Sequence, residues 1–424
     1  MMIQFDLIIV GGSASGLCAA IQAARCKKAA SIAVLEQMPR IGKKILATGN
    51  GRCNLSNVNA GGHAYRNADF AASALKKYDT QATLSFFKSL GLLTVADSEG
   101  RIYPMSNTAA SVLDALRFEA ERLHIQFFCG TAVKEIAVLK NGFSLRCLQT
   151  PDNPEKAKNQ ANIIAEFRAK YLVLAAGGKA SPVHGSDGSG FELLRQLGHS
   201  ITPRFPSLVQ LTTDTSLTKQ LKGIRSAASI KVEIEGKIKS VAQGEILFTE
   251  YGLSGIAAME ASRAVSEYFA SGCKGGCCAL LDLAPSLNKE DLKLFIKNFA
   301  LDNPLLPPER LLFGIMPARI GQVVCKACGL YNITGGLSEP QLNRLAEIIK
   351  EFRLQITGTK GFNQAQVTAG GADVNEFHPE FLASRKVKNL YACGEILDVD
   401  GGCGGFNLQW AWSSGLLAGE LNRA

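Results

Sequence analysis

The chain opens on an apolar run at residues 5–10, broken by glycines at 11, 12 and 16. Helically spaced apolar positions follow from Leu17 to about Arg25, then a second apolar run at 31–35. Read by period and punctuation, this predicts strand, glycine turn, helix and strand, one βαβ unit. A polar, glycine-bearing loop covers 40–59. Helical patterns cover 71–90 and 108–123, the second with Ser106 and Asn107 as expected caps. A short strand is expected at 125–128, and 131–170 reads as a β-meander interrupted by a polar loop at 150–162. The continuous apolar run 171–176 predicts a buried strand.

The pattern changes after His199. Ile230, Val232 and Ile234 alternate with Lys231, Glu233 and Glu235, which predicts a strand with one wet face. Segments 237–241 and 245–248 continue that antiparallel sheet, and helices are expected near 256–269, 289–299 and 339–352. Glycine-punctuated strand signals return near Gln366, with a buried strand at 389–393 and a helix from about Gly405 toward Leu421. The plan is α/β: a nucleotide-binding domain in two segments, 1–199 and 361–424, around an inserted β-rich and helical domain at 200–360.

Composition narrows the class. Hydrophobic residues make up 46% and charged residues 20% of 424, as in globular chains. No run approaches the ~18–20 apolar residues of a membrane span. The run at 5–10 lacks a basic leader and a cleavage site, so it reads as a strand and not a signal peptide. Twelve cysteines in a chain this long fit reduced thiols, and the expected location is cytoplasmic. The net charge of +9 lies mostly before residue 190, with no block of five or six like charges. A basic N-terminal part suits an anionic cofactor or nucleic acid.

The turn Gly11-Gly12-Ser13-Ala14-Ser15-Gly16 sits between strand and helix, with Glu36 closing the second strand. Gly11 permits the tight turn and Gly16 the close helix–strand contact, while the helix N-terminus offers amides to a pyrophosphate. Glu36 lies where a carboxylate accepts from ribose hydroxyls and repels a 2′-phosphate. Ser13 replaces the middle glycine of the usual fingerprint. In the loop from Arg40 to Asn54, Gly42, Gly49 and Gly51 allow close approach, Lys43, Lys44 and Arg52 are cationic, and Thr48, Asn50 and Asn54 supply hydrogen bonds. The bland alternative is a solvated basic loop.

The C-terminal segment carries Gly394-Glu395, Asp398 and Gly401-Gly402-Cys403-Gly404-Gly405-Phe406-Asn407-Leu408. A helix N-terminus there can face the N1/C2 edge of a flavin and stabilise negative charge on its reduced form. Trp410 and Trp412 read as core.

The stretches 42–57, 101–107, 244–255, 367–380 and 394–415 resemble the bacterial conserved NAD(P)/FAD-dependent oxidoreductases, whose relatives include aminoacetone oxidase-like and bile-acid reductase-like flavoproteins. The resemblance spans nearly the whole chain. It implies a glutathione-reductase-type FAD-binding Rossmann domain with an inserted β-rich domain and a small helical subdomain. It further implies that Gly11, Ser15, Gly16 and Glu36 hold the ADP half and that Val133 meets adenine through its backbone. Thr48, Arg52, Cys53 and Asn54, with Glu395 and Gly405–Leu408, then surround the ribityl and flavin, and Lys44, Gly49 and Gly394 are further expected cofactor contacts. Gly177, in the 174–178 segment, is similar to the second FAD-contacting turn of that fold. Ser13 departs from the pattern and puts the pyrophosphate contact, but not the cofactor, in question.

No second glycine fingerprint with its acid is present, so NAD(P)H, if it is the donor, binds transiently in the substrate cleft. No metal site is expected. The leading reading is an FAD-dependent oxidoreductase that passes hydride at flavin N5 to or from a small or mid-sized organic substrate, with no catalytic acid or base named. Two alternatives stand beside it. A nucleic-acid-associated flavoprotein is allowed by the charge, although no RNA-binding motif appears and nucleic acid is not the expected partner. A flavin-linked dithiol reductase would use Cys325 and Cys328 or the adjacent Cys277 and Cys278, although no thioredoxin pattern surrounds them. His378, before Pro379, reads as a turn-forming histidine in preference to a proton donor.

Overall fold

The first apolar run becomes the centre of a sheet in the computed structural model, which describes residues 2–150, 163–273, 275–330 and 337–422. Met2–Val10 pairs in parallel with Ile32–Leu35 on one side and Ile163–Leu174 on the other. Gln126–Phe128 extends the first side and Leu390–Ala392 the second, both in parallel. Strand order therefore reverses between Met2–Val10 and Ile163–Leu174, the switch point at which doubly wound sheets bind ligands beyond their carboxyl ends. Leu7, Ile8, Ile9, Val34 and Val173 are fully buried, as continuous apolar runs in a parallel sheet should be. The meander forms by antiparallel pairing of Thr131–Leu139, Gly142–Gln149 and the first half of Ile163–Leu174. Residues 151–162 of the expected loop lie outside the described residues.

Two expectations for this unit fail for local reasons. The helix predicted at 71–90 is two helices, Ala68–Lys77 and Thr80–Ser89, because Asp79 caps the second by accepting from the Ala82 amide at 2.8 Å. Helix Ala109–Arg122 is capped by Thr108, not by Ser106 or Asn107. Ser106 instead donates to Ser111, and Asn107 takes a left-handed φ of 53°.

Backbone contacts divide the chain into Met1–Arg204 with Val367–Ala424, and Phe205–Gln366. In the second unit six strands close a barrel in the order Leu211–Thr213, Gly252–Ser254, Lys237–Thr249, Arg225–Ile234, Cys277–Asp282 and Phe352–Thr359. Closure leaves no free sheet edge. Ile230, Val232 and Ile234 all point into its core, and 237–249 is one strand where two segments were expected. Helices Ile256–Ala270, Lys289–Asp302, Ala318–Ala327 and Glu339–Lys350 complete the unit. The third was not foreseen, and it carries Cys325.

Candidate functional site

The site is built where the central strand ends. Gly11 turns the chain with φ 109°, and a Cβ there would lie 2.4 Å from the Ala175 carbonyl oxygen across the switch point. A Cβ on Gly16 would lie 1.9 Å from the Gly11 oxygen, so the helix starts directly against the turn. Ser13 is the N-cap residue of helix Ala14–Arg25 and makes no side-chain cap bond, which leaves first-turn amides for a ligand. Ser15 is buried, with its hydroxyl 3.5 Å from the Cys393 carbonyl.

Glu36 is 8% exposed. Its carboxylate accepts from the Gly12 amide and from the Met38 amide, each at 2.8 Å. Burial pushes its pKa up, against the pull of those two amides. Each oxygen keeps a second lone pair, as the expected ribose contacts require. The Glu36 carbonyl accepts from Thr131, two residues before the buried Val133. Gly177 takes a φ of 73° beside Ser186.

The basic loop is not an open coil. Lys43–Ala47 forms one short helix, and the Thr48 hydroxyl donates to the Ile45 carbonyl at 2.6 Å. Lys44 pairs with Glu395 at 3.0 Å, and the other Glu395 oxygen accepts from the Thr368 amide at 2.9 Å. The Thr368 hydroxyl in turn accepts from the amides of Lys179 and Ala180 at 2.7 and 2.9 Å. Arg52 lies over the Tyr103 ring at 4.8 Å, and its side chain reaches the Gly49 carbonyl. Cys53 is fully buried with φ 58°, and burial pushes its thiol up to about 12. Asn54 accepts from the Gly405 amide at 3.2 Å and donates to the Ser56 carbonyl at 3.1 Å.

Gly405 begins helix Phe406–Gly419 with φ 101°. Tyr65 donates to the Phe406 carbonyl at 2.8 Å. Phe406 and Leu408 are half-buried, whereas Trp410 and Trp412 are core, donating to Gly394 and Leu55 carbonyls. The Asn407 side chain turns to the loop before it. The amide donates back to the Gly401 and Gly402 carbonyls and accepts from the Gly401 amide, so it clamps the glycine loop. A Cβ on Gly394 would meet the Ser15 hydroxyl at 2.4 Å, which brings the two segments together.

The two helices set the length of the site. A Cβ on Gly415 would lie 2.3 Å from the Ser15 oxygen and one on Gly419 2.5 Å from the Ala19 oxygen, so the helices run parallel. Phe406 is then about eight residues, or ~12 Å, beyond Ala14 along the same direction. Two helix N-termini spaced this way suit the length of a flavin dinucleotide, whose adenosine ribose is the group expected at Glu36. FMN would leave Glu36 and the first helix without a ligand.

Sequence reasoning missed Thr368, Ser414 and Gln409. Ser414 accepts from the Gly394 amide at 2.9 Å, and the buried Gln409 joins Ser56, Thr83 and Ser413. Their polar types at otherwise apolar helix positions were the available signal for the last two. No helix among the described residues is long and apolar enough to cross a membrane.

The chain is 37% identical over 419 residues to a 3-dehydro-bile acid delta(4,6)-reductase of Clostridium scindens, with 97% of each chain covered. It is 28% identical over 425 residues to the ribosomal RNA dihydrouridine synthase of Escherichia coli, covering 97% of this chain and 96% of that one. Among solved structures, a 3-ketosteroid-delta4-(5alpha)-dehydrogenase from Rhodococcus jostii aligns with a TM-score of 0.48 at 14% identity, over 99% and 96% of the two chains. A family model for the HI0933-like protein Rossmann domain matches residues 5–421. The chain belongs to this HI0933-like family of FAD-binding Rossmann oxidoreductases.

Proposed function

We propose that the protein reduces a carbon–carbon double bond conjugated to a carbonyl, in a mid-sized hydrophobic substrate of the 3-oxo bile acid or steroid type. The parallel pair of helix N-termini, about 12 Å apart and flanked by Glu36, is the observation that supports an FAD-dependent reading. Full-length identity of 37% to a bile-acid reductase supports the substrate class. When bound and reduced, FAD supplies hydride from N5 to the alkene carbon farther from the carbonyl.

The chain's own residues then bind and orient. First-turn amides after Ser13 take the pyrophosphate, Glu36 the ribose, and Val133 the adenine through its backbone. The Lys44–Glu395 pair and Thr368 stiffen the turn next to Gly177. The helix N-terminus at Gly405–Leu408 favours negative charge at the near edge of the ring by ~0.3–2 kcal/mol. NAD(P)H is the donor in this reading and binds transiently.

A second reading has specific support. Uracil carries the same unit, a C5=C6 bond conjugated to a carbonyl, and the 28% relative is a dihydrouridine synthase. The +9 charge suits RNA. Product analysis separates the two. Protein reduced under anaerobic conditions is offered a Δ4-3-oxo steroid or ribosomal RNA, and the product is identified by mass. Two mass units gained by the steroid support the first reading, and dihydrouridine alone would replace it with the second.

A further inference from the structure

Addition of hydride to a conjugated alkene leaves a carbanion-like α-carbon that must receive a proton, and the site described so far offers no evident donor. Cys53 is sealed from solvent with its thiol pushed up to about 12. The Tyr65 hydroxyl is spent on the Phe406 carbonyl, and burial pushes its pKa up. Lys44 and Glu395 are tied to each other.

Strand Arg101–Pro104 supplies a candidate. It pairs with Ser56–Asn57, which begins two residues after Asn54, and the Asn57 side-chain amide donates to the Gly404 carbonyl at 2.9 Å. The strand is therefore fastened to the glycine loop that precedes helix Phe406–Gly419. Alternation along a strand puts Arg101 and Tyr103 on one face and Ile102 on the other. Ile102 is in the core, and Arg101 lies 3.8 Å from the position of a Cβ on Gly404, so the shared face is the one turned to that loop. Tyr103 is 9% exposed, and the Arg52 guanidinium covers its ring at 4.8 Å. That cation–π contact holds the ring in place on this face.

On the conjugated-alkene reading above, we propose that Tyr103 is the catalytic acid, delivering its hydroxyl proton to the substrate α-carbon, with Arg52 as its positioning residue. The balance is simple. Hydride from reduced FAD forms the C–H bond at the β-carbon, the π pair takes the Tyr103 proton at the α-carbon, and water reprotonates the phenolate. FAD is left oxidised and is reduced again by a nicotinamide nucleotide. General acids of this kind contribute ~10²–10⁴-fold.

The test uses holoenzyme and two half-reactions. Tyr103→Phe should keep its FAD and be bleached by NAD(P)H within twofold of wild type. Its reoxidation by a Δ4-3-oxo steroid should fall at least ~100-fold, while reoxidation by ferricyanide, which needs no proton at carbon, should not change. Tyr103→His, which keeps a donor, should recover part of the rate, and it serves as the test variant if Tyr103→Phe loses FAD. A readout independent of turnover is ¹⁹F NMR of oxidised holoenzyme labelled with 3-fluorotyrosine, in which the resonance absent from Tyr103→Phe must shift when the steroid is added. Steroid-dependent reoxidation of Tyr103→Phe within twofold of wild type, or an unmoved resonance, would overturn the assignment alone. If wild type is reoxidised by neither steroid nor uridine-containing RNA, the functional reading itself falls and takes Tyr103 with it.

Discussion

Gly415 lies so close to the Ser15 carbonyl that a Cβ would sit 2.3 Å from that oxygen, with Cys18 Cβ 3.0 Å away on the same side. This contact lets the C-terminal helix run beside the first one and carries its N-terminus past the Gly11–Gly16 turn. Both neighbours are backbone or stem atoms that cannot swing aside. Gly415→Ala should therefore cost about 1–3 kcal/mol of stability through overpacking. Thermal melts and the flavin absorbance of the purified variant check this, and FAD occupancy should drop along with the melting temperature.

Glu36 holds Gly12 and Met38 and faces the place where the adenosine ribose is expected. Glu36→Gln removes the charge and turns one donor toward a backbone donor. FAD affinity should fall by roughly 10–100-fold, about 1.5–3 kcal/mol for charged hydrogen bonds. Flavin fluorescence released on dilution measures it. Heat should release FAD and not FMN from wild type, since FMN has no ribose for Glu36 to grip.

Glu376 should contribute to the acid limb of stability. It accepts from His199, from the Ser200 amide and from Lys386, while His199 also contacts Ser384 at 2.9 Å and stacks on Phe377. The order Ser384–His199–Glu376 has the outline of a nucleophilic triad. Yet the Ser384 oxygen already accepts from the amides of Lys386 and Val387, so the cluster is a latch. Burial raises the Glu376 pKa, but Lys386 and Ser200 outweigh it and hold it at about 2. A depressed carboxyl contributes stability above its unfolded pKa of ~4.3, and that contribution is lost as pH falls through about 2. Glu376→Gln should cost about 1–2 kcal/mol at pH 7, discounted for the partly exposed lysine, and nearly nothing at pH 2. Urea melts at both pH values check the difference.

The paired cysteines should be redox bystanders. Cys325 is fully buried on helix Ala318–Ala327, its thiol pushed up to about 12 and that of Cys328 to about 11. Thiols so protonated make poor nucleophiles. The Cys325→Ala, Cys328→Ala double variant should turn over within twofold of wild type. Reduction by NAD(P)H should expose no thiols beyond the twelve that are free at the start. Ten titratable thiols before reduction and twelve after it would revive the dithiol reading.

Much of the first unit was legible because its elements announce themselves locally. An apolar run ending in glycines cannot be other than a strand entering a tight turn, and Glu36 lies at a fixed distance beyond it. What escaped was non-local. Nothing near Asn407 signals that its amide folds back on Gly401, since that depends on the loop curling through Gly404 and Gly405. Lys44 and Glu395 were both marked, but their ion pair joins residues 351 positions apart. Thr368 sits in a quoted motif, yet its three contacts come from two distant segments. The break at Asp79 was missed for the opposite reason, because helical spacing continues through a capping residue.

The claim most exposed to test is that this flavoprotein reduces a conjugated alkene. Enzyme bleached anaerobically by NADH or NADPH is mixed with a 3-oxo-Δ4,6 bile acid while the oxidised flavin band is followed. The band should return in proportion to bile acid added, one alkene reduced per flavin reoxidised. A flavin that stays bleached with excess bile acid and with uridine-containing RNA, yet recovers on admitting oxygen, would contradict it.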